Sequence, residues 1–509
     1  MTSSSAKIYS AELEGINAKL VEVETDLNVG LHSFNIVGLA DKAVSEAKER
    51  VSSAIKNAGF KPPNRENRKI TINLAPADLK KAGTQYDLAI AVGYLCATKQ
   101  IKSFSPDGLL FFGELALDGR VRKIPGGLNT ALLAKELGKK ELYLPTENAK
   151  EASCVSDIGV VPINSLSELV NHLEGVKTIA PHPYREYAPT NTSSVNIDDV
   201  KGQAFAKRAL VIAASGGHNI LMIGPPGSGK TMLANSIVSI LPPMDLDEAL
   251  EVSRIWSSVG LLKGSLVNER PFRAPHQTAS PASVMGGGAS PRAGEISLAH
   301  RGVLFLDELP EFRRDLLESL RQPIESGEVV ISRVSNNISF PAKFMLVTAM
   351  NPCPCGFYED VEKECVCSAN EVFRYQKRIS GPLLDRIDIQ IDVPRLKLDD
   401  LNAPTNIGEG ENLQKQVNEA RLIQKARFAW AGINAKINSE MSSRECEDII
   451  SITKEGKDFI KSVFDKSLLS TRSYYRLLKT AQTIADLEKS EVVDAPHLAE
   501  AFQFRIRGK

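Results

Sequence analysis

The segment Ile220–Leu233, with the sequence ILMIGPPGSGKTML, constrains the fold of this chain more than any other. Its apolar start leads into a run that fits the phosphate-loop pattern G-x-x-x-x-G-K-[ST], namely Gly224, Pro225, Pro226, Gly227, Ser228, Gly229, Lys230 and Thr231. Glycines allow a tight turn in which successive N–H groups point into one concavity and bind phosphate oxygens. We therefore predict a buried strand, this loop and a helix over Lys230–Leu241. Lys230 would reach the β- and γ-phosphates of ATP or GTP, and Thr231 would bind Mg²⁺.

A second apolar strand, Gly302–Leu309 (GVLFLDEL), ends in two adjacent acids. In a chain that has a phosphate loop this pattern is typical of the Walker B element, although acidic strand ends are common in general. Asp307 is expected to hold Mg²⁺, and Glu308 to polarise the attacking water. A further buried strand, Phe344–Thr348, ends near Asn351. We interpret Asn351 as a sensor of the γ-phosphate, the alternative being an ordinary turn asparagine.

Composition places the chain among ordinary globular proteins and excludes several classes. With 509 residues, 42% of them hydrophobic, it should form two to four domains. Its formal net charge of +0 gives no overall basic field, so any nucleic-acid surface must be local. The N-terminus lacks the apolar core of a secretory signal, and no apolar run approaches membrane-spanning length. We therefore expect a cytoplasmic protein without a membrane partner.

The order of the predicted elements divides the chain into three units and a linker. Residues 1–178 mix short strands with helices such as Asp41–Ala58, which predicts an α+β unit without a phosphate loop. Residues 179–196 are rich in Pro, Ser, Thr and Asn, which favours a linker. Residues 197–395 contain the phosphate loop and are predicted to be α/β, and residues 396–509 are predicted to be a smaller helical domain.

Two local patterns predict how the α/β domain continues after Walker B. Glu311–Glu325 has apolar residues at helical spacing and is predicted to be one amphipathic helix. Val329–Val334 and Ile338–Phe340 flank Ser335-Asn336-Asn337, a pattern typical of a β-hairpin.

Four of the seven cysteines lie within residues 353–367, at Cys353, Cys355, Cys365 and Cys367. In a reducing cytoplasm, clustered cysteines indicate a metal rather than disulfides. Two C-x-C pairs can place four thiolates tetrahedrally around Zn²⁺, which leaves no open position for chemistry. The spacing differs from the common C-x₂-C, so four thiols without a metal are the alternative.

Six long motifs carry a resemblance to a known family. They are Pro271–His276 (PFRAPH), Gly286–His300 (GGGASPRAGEISLAH), Gly302–Phe312 (GVLFLDELPEF), Leu320–Gly327 (LRQPIESG), Ala349–Gly356 (AMNPCPCG) and Ser380–Asp388 (SGPLLDRID). Residues 199–509 resemble the magnesium-chelatase-like branch of the AAA+ ATPases, and the whole chain resembles the ComM/YifB family of bacterial proteins. The resemblance implies an α/β P-loop AAA+ domain with a C-terminal helical lid.

The resemblance also implies roles for polar residues around the nucleotide. Asn351 would be sensor 1, and Arg386 would be an arginine finger that meets the γ-phosphate of a neighbouring subunit. Arg472 would be sensor 2 of the lid, with Arg476 as a substitute on the same helix, Thr471–Leu487. A finger supplied by a neighbour implies a ring, and the family pattern implies a hexamer that binds ATP and Mg²⁺ at subunit boundaries.

The family pattern further implies an insert at Leu262–His300 that projects, together with the hairpin, towards a central pore. Arg273, His276, Arg292 and Arg333 are then candidates for contact with the DNA backbone. From the sequence alone, single basic residues in loops are more often simply solvated.

The N-terminal unit resembles the fold of the Lon protease catalytic domain, through Tyr86–Leu95 (YDLAIAVGYL) and Gly113–Leu128 (GELALDGRVRKIPGGL). Those proteases use a Ser–Lys dyad. No serine lies within Gly83–Cys96, and no lysine follows Leu128 until Lys135. We therefore expect a non-proteolytic scaffold or binding module.

Three functions compete at this point. The leading one, implied by the resemblance, is a hexameric DNA helicase that drives branch migration during natural transformation. The second is a chelatase-type ATPase that remodels a protein partner for metal insertion; its motor subunit is not expected to carry the Lon-like unit or the cysteine cluster. The third, an ATP-dependent protease, is disfavoured by the missing dyad.

Overall fold

A twisted four-stranded sheet forms the beginning of the computed structural model, which describes residues 4–39, 41–65, 67–190, 195–288, 291–332, 337–360, 362–396, 408–465 and 470–505. The elements of this part are β1 (Ser4–Glu14), β2 (Asn17–Val29), β3 (Ser33–Val37), α1 (Lys42–Ser45), α2 (Ala47–Asn57), β4 (Arg68–Ala75) and α3 (Asp87–Ala97). The strand order is β1-β2-β4-β3, and only the β3–β4 pair is parallel. The helix predicted over Asp41–Ala58 is present as α1 and α2, which meet at Glu46.

The N-terminal unit continues with a second, parallel sheet of order β5-β8-β9 and a small hairpin, β6–β7. The elements are β5 (Leu109–Phe111), β6 (Glu114–Leu115), β7 (Val121–Arg122), α4 (Gly127–Glu136), β8 (Glu141–Pro145), α5 (Thr146–Ala152), β9 (Gly159–Ile163) and α6 (Leu166–Leu173). Helix α3 is buried on nearly all sides, since it packs against both β1 and β2. The α+β character predicted for this unit is therefore confirmed.

A five-stranded parallel sheet is the centre of the second unit. The elements up to its third strand in chain order are α7 (Ala204–Gly216), β10 (Ile220–Ile223), α8 (Lys230–Ile240), α9 (Leu246–Ser258), β11 (Phe272–Arg273), α10 (Pro281–Met285), β12 (Gly286–Gly287), β13 (Arg292–Ala293), α11 (Glu295–Leu298) and β14 (Val303–Leu306). They are followed by α12 (Arg314–Ser319), α13 (Arg321–Ser326), β15 (Glu328–Ser332), β16 (Asn337–Pro341), β17 (Met345–Met350), α14 (Ala369–Gln376), α15 (Gly381–Leu384) and β18 (Ile389–Asp392). The strand order is β11-β14-β17-β10-β18, and every pair is parallel.

Both faces of this sheet are covered, which is the usual condition of a parallel sheet. Alternate residues of β10 point to opposite sides: Ile220 and Met222 pack with α7 and α8, whereas Leu221 and Ile223 pack with the elements that follow Walker B. The AAA+ core is thus a three-layer α/β domain, and its two apolar clusters fix the sheet between helices.

The prediction of one continuous helix over Glu311–Glu325 was wrong. The structure divides the segment into α12 and α13, which meet at Leu320. Pro323 explains the break, because proline has no N–H to donate and its ring clashes with the carbonyl group one turn earlier. The hairpin predicted next is present as β15 and β16, whereas the predicted turn residues Ser335 and Asn336 lie outside the described residues.

The last unit is helical, as predicted. It consists of α16 (Glu409–Ala431), α17 (Ser443–Ile449), α18 (Lys454–Asp465), α19 (Thr471–Leu487) and α20 (Ala495–Gln503). Helix α19 packs against α7 of the core, and its buried residues Leu477 and Ala481 join the apolar cluster on that face of the sheet. Within the described part of the chain, every helix is too short or too polar to span a membrane.

One contact between the N-terminal unit and the α/β core is made by the end of helix α9. Ser257, in the last turn of α9, accepts through its carbonyl from the N–H of Gly126 (2.8 Å) and through its hydroxyl from the N–H of Leu128 (3.3 Å). The same hydroxyl donates to Glu151 (2.7 Å), a buried residue whose pKa is raised by burial. The turn at Gly126–Leu128, which ends a segment that resembles the protease fold, therefore makes part of the contact between the two units.

Candidate active site

The phosphate loop connects β10 to α8 as the motif predicts. Gly227 and Gly229 have φ values of +80° and +88°, a region that side chains with a Cβ rarely adopt. A Cβ on Gly224 would lie 2.1 Å from the carbonyl oxygen of Val393, so only glycine allows the loop to approach the end of β18. The N-terminus of α8 begins at Lys230 and directs its partial positive charge at the loop.

Lys230 is buried and turned back onto the loop itself. Its ammonium donates to the carbonyl oxygens of Gly224 (2.7 Å) and Pro225 (2.9 Å), and lies 3.4 Å from Oδ1 of Asn351. Burial lowers the pKa of Lys230, although the nearby carboxylates Asp307 and Glu308 oppose that shift. An anionic phosphate placed here would favour the charged ammonium more than these neutral carbonyl groups do.

The two Walker B acids occupy different surroundings. Asp307 is half-buried, accepts from the Thr231 hydroxyl (2.8 Å) and also accepts from the backbone N–H of Glu308 (2.9 Å). Glu308 is exposed and has a φ of +51°, which is uncommon for a residue other than glycine. The backbone turns sharply at this point, so the two adjacent acids face different partners, as metal binding and water activation require.

The carboxyl edge of the sheet thus gathers the residues assigned to nucleotide chemistry. β17 lies between β10 and β14, and Asn351 follows its last residue directly. Thr231 and Asp307 touch each other, and Lys230 lies beside Asn351. The Thr231 hydroxyl and the Asp307 carboxylate are oxygen ligands of the kind that Mg²⁺ prefers. Phosphate oxygens of the nucleotide would supply further ligands to the same ion.

Arg386 lies at the amino ends of the strands, opposite the phosphate loop, just before β18. Its carbonyl oxygen accepts from the side-chain amide of Asn219, the residue that precedes β10 (3.1 Å). The guanidinium is largely buried and donates to the carbonyl of Pro382 (2.6 Å) and to Glu325 (2.9 Å). Because the four residues of β10 span roughly 13 Å, Arg386 is remote from the phosphate loop of its own subunit.

The structure places Arg472 beside Arg386 and not at its own phosphate loop. Arg472 contacts the second oxygen of the Glu325 carboxylate (2.9 Å), and its side chain is 48% exposed. Any γ-phosphate that meets Arg472 in this arrangement must belong to another subunit. The assignment of Arg472 as sensor 2 stays a prediction.

Arg476 has a different environment from Arg472. It forms an ion pair with the buried Asp388 (2.6 Å), donates to the carbonyl oxygen of Arg386 (2.8 Å) and is only 16% exposed. Burial alone would raise the pKa of Asp388, but Arg476 and His218 together hold it well below its usual range. Arg476 therefore has a structural partner, which favours Arg472 as the residue available to a nucleotide.

The four cysteines converge as the spacing suggested. Their Sγ atoms all lie within 4.8 Å of one another, and three of the distances are 3.4 Å (Cys353–Cys355), 3.7 Å (Cys353–Cys365) and 3.6 Å (Cys355–Cys365). A tetrahedral ion with Zn–S bonds of about 2.3 Å requires S–S separations of about 3.8 Å. Cys367 accepts from the N–H of Cys355 (3.4 Å), and backbone N–H groups lower the pKa of Cys355 to about 6. The four residues form a site that could hold a metal such as zinc.

The residues predicted to contact DNA differ in whether their side chains are already engaged within the protein. Arg273 binds both carboxylate oxygens of Glu295 (2.6 and 2.8 Å), so it is engaged within the protein. His276 and Arg292 are exposed, and Arg292 lies on the short β12–β13 hairpin of the insert. Arg333 lies outside the described residues.

The insert and the hairpin after Walker B lie side by side. A Cβ on Gly286 would come within 3.2 Å of Ile331 on β15, and one on Gly15 would come within 2.7 Å of Ile338 on β16. The β1–β2 turn of the N-terminal unit thus touches the same face of the hairpin, because Ile331 and Ile338 are cross-strand partners. The three segments are therefore neighbours at this hairpin.

Three residues near the site were not identified from the sequence. Gln203, with a φ of +52°, donates to the carbonyl oxygen of Pro394 (2.8 Å) and lies 3.4 Å from that of Ser228. Burial raises the pKa of Tyr375, close to Glu308, to about 12. Glu325 lies within the LRQPIESG motif, but nothing in that motif indicates that it pairs two distant arginines.

Three sequence models of magnesium chelatase subunits match the chain in succession. The model of magnesium chelatase, subunit ChlI, matches residues 196–401, that of the subunit ChlI of Mg-chelatase matches residues 23–148, and the C-terminal model of subunit ChlI matches residues 409–505. The competence protein ComM of Haemophilus influenzae is 43% identical over 507 residues, which cover 98% of this chain and 97% of that protein. The chain belongs to the ComM/YifB family of magnesium-chelatase-like AAA+ ATPases.

Two further relatives match the chain, one over nearly its whole length and one over a part of it. The YifB protein of Salmonella typhimurium is 40% identical over 505 residues, 98% of this chain and 97% of that protein. The Lon protease of Rhizobium meliloti is 26% identical over 167 residues, which are 31% of this chain and 20% of that protease. The fold class predicted from the sequence, an AAA+ domain with a helical lid and a Lon-like N-terminal unit, is therefore confirmed for this family member.

Proposed function

We propose that this protein is a hexameric ATP-driven DNA motor, with a helicase or branch-migration activity that promotes integration of incoming DNA. The observation that carries the proposal is the position of Arg386 and Arg472 at the sheet edge opposite the phosphate loop. Arginines on that edge can serve only the nucleotide of a neighbouring subunit. A complete site then needs two copies of the chain, and repeated head-to-tail contacts of this kind form a ring when the rotation between copies closes.

Each residue of the composite site has a defined task in the proposed hydrolysis. Lys230 binds the β- and γ-phosphates, and Thr231 with Asp307 holds the Mg²⁺ that neutralises charge on the phosphate oxygens. Glu308 orients and polarises the water that attacks the γ-phosphorus, and Asn351 contacts the γ-phosphate. Arg386 and Arg472 of the next subunit stabilise the charge that develops during the transfer.

The DNA part of the proposal rests on the relative and on the exposed insert. The relative from Haemophilus influenzae is a competence protein, and it matches this chain over nearly its whole length. His276 and Arg292 are the described basic candidates that remain exposed on the insert. The hairpin β15–β16 contacts the insert, so nucleotide-dependent movement of Walker B would reach the surface proposed to hold the DNA backbone.

We further propose that the four cysteines hold one structural Zn²⁺. The sulfur separations and the all-thiolate donor set fit this ion, and a closed four-sulfur site has no position for catalysis. The proposed cofactors are therefore ATP with Mg²⁺ at the loop and Zn²⁺ at the cluster.

A chelatase-type ATPase that remodels a protein partner is the second candidate. The match of all three chelatase subunit models along the chain supports it. The ATPase core itself would be the same in both functions and does not separate them. The two candidates differ in what stimulates hydrolysis.

Steady-state ATPase rates with single-stranded, duplex and branched DNA, at low and moderate salt, separate them. The motor proposal expects strong stimulation that falls steeply as salt rises, because backbone binding releases counterions. Arg292→Ala should weaken the stimulation but leave the basal rate, whereas Arg444→Ala, an exposed arginine of the helical unit, should change neither. Intact basal hydrolysis that no DNA stimulates would instead favour the protein-remodelling function.

A further inference from the structure

The segment that carries the four cysteines, residues 353–367 and called the metal loop below, begins beside the residues assigned to the nucleotide site. Its first ligand, Cys353, follows Asn351 by two residues, and its last, Cys367, comes just before α14. We propose that metal binding by the four cysteines positions Asn351 against the phosphate loop, so that the cluster is a positioning element for ATP hydrolysis. This inference rests on the proposed ATPase chemistry and on the proposed Zn²⁺.

The first contact that carries the inference is made by Gly356. This glycine has a φ of +86° and sits in the turn directly after Cys355. A Cβ at this position would lie 2.6 Å from Cδ of Pro226 in the phosphate loop and 3.9 Å from Cγ of Asn351. The turn between the two cysteine pairs therefore packs against both the phosphate loop and Asn351.

The far end of the metal loop returns to the same place. The Ser368 hydroxyl and the Glu371 carboxylate form a capping box that starts α14 immediately after Cys367. From the last turn of this helix, Gln376 donates to the carbonyl oxygen of Pro352 (3.0 Å), the residue between Asn351 and Cys353. Contacts from both ends of the metal loop thus hold the segment that carries Asn351.

A third attachment reaches the other side of the nucleotide pocket. Arg395 lies over the ring of Phe357 (5.3 Å) and pairs with Asp360 (3.2 Å), both within the metal loop. Its neighbour Pro394 accepts from Gln203, which also lies 3.4 Å from the carbonyl oxygen of Ser228. The metal loop therefore spans the pocket between the end of β17 and the end of β18.

The physical reason to assign this task to a metal is the composition of the loop. Within 353–367 there is little apolar surface to bury, and the described charged residues are exposed except Asp360, whose side chain is 3% exposed beside Arg395, so packing alone gives the loop little order. Four thiolates at these separations repel one another unless a cation lies between them. A bound dication would close the loop covalently and hold Gly356 and Asn351 in one arrangement.

Metal content, backbone exchange and kinetics of Cys365→Ser in the full chain test the inference. The parent is expected to contain about one zinc ion per subunit. The variant should lose the ion, exchange backbone hydrogens faster in residues 349–358 and 224–229, and hydrolyse ATP about tenfold more slowly, with ATP affinity changed less than about threefold. Cys154→Ser, at a half-buried cysteine outside the cluster, is the matched control and should behave as the parent.

Gln376→Ala keeps all four cysteines and tests the positioning alone, should Cys365→Ser fail to fold. It should retain zinc, yet exchange faster around Asn351 and lose kcat more than ATP affinity. Loss of zinc with unchanged exchange and turnover, or a parent without zinc, would overturn the inference. A parent that binds zinc but never hydrolyses ATP would instead contradict the proposed function, while the exchange measurement still decides whether the metal orders the site.

Discussion

Arg386 and Arg472 lie side by side because each contacts a different oxygen of the Glu325 carboxylate, both at 2.9 Å. One arginine comes from the AAA+ core and the other from the helical lid. Glu325 therefore aligns two cations at the edge of the subunit that faces away from its own nucleotide. A phosphate from a neighbour would compete with this carboxylate for both guanidinium groups.

Complementation between two inactive variants is expected if these arginines act across the interface. Arg386→Ala lacks the finger and Lys230→Ala lacks the phosphate ligand, so each alone should be inactive. Random mixing places an intact loop against an intact finger at about a quarter of the interfaces, which sets the recovered ATPase rate. Activity that never returns at any mixing ratio would count against the assignment across the interface.

Glu308→Gln is expected to bind ATP but to hydrolyse it at least about 100-fold more slowly, because general-base assistance of that order is lost. The amide keeps the size of the side chain, and Thr231 and Asp307 keep their contact. Binding of a fluorescent ATP analogue and steady-state turnover check the two halves of this expectation. Turnover close to that of the parent would remove Glu308 from the mechanism.

Arg472→Ala and Arg476→Ala should fail in different ways. Arg476→Ala leaves the buried Asp388 without its cation, which is expected to lower the free energy of unfolding by roughly 3–5 kcal/mol. Arg472 is largely solvated, so its removal should change stability by less than about 1 kcal/mol while it lowers the ATPase rate. Thermal unfolding and ATPase assays of both variants separate the roles, and a stable, fully active Arg472→Ala would exclude it as sensor 2.

The N-terminal unit should become less stable as pH rises from about 4.5 to about 7. Burial raises the pKa of Glu12 from 4.5 to about 7, despite hydrogen bonds from Tyr86 and Gln85. In this range the unfolded chain has lost a proton that the folded chain keeps, so unfolding becomes easier by up to about 3 kcal/mol. Thermal unfolding of the full chain at pH 5 and pH 7.5 should show this loss. Glu12→Gln should reduce the loss but not abolish it, because burial also raises the pKa of Asp87 in the same unit to about 6. Glu147→Gln, at an exposed acid, should leave the loss unchanged.

Residues that follow strand ends directly could be placed from the sequence. Lys230, Asp307 and Asn351 each come at or shortly after the end of an apolar strand, and in a parallel sheet all carboxyl ends meet at one edge. Their proximity therefore followed from local patterns alone. The proximity of the four cysteines could also be predicted from the sequence, because all four lie in one short segment.

Contacts between distant segments could not be predicted in the same way. Glu325 meets Arg386 and Arg472 only because the helical lid folds back against the core, and no local spacing encodes that packing. The docking of Ser257 on the N-terminal unit has the same origin. The break at Leu320, in contrast, was predictable from the sequence, because Pro323 disfavours a continuous helix there despite the helical spacing of the apolar residues.

The placement of Lys230 and Arg386 on opposite edges of one sheet gives each subunit a polarity. Two copies related by a twofold axis would set like edge against like edge and complete no site. An open row of n subunits would complete n − 1 sites and leave one nucleotide without its arginine. Only a closed ring lets every subunit both bind a nucleotide and supply its arginines to a neighbour. The number of complete sites then equals the number of chains.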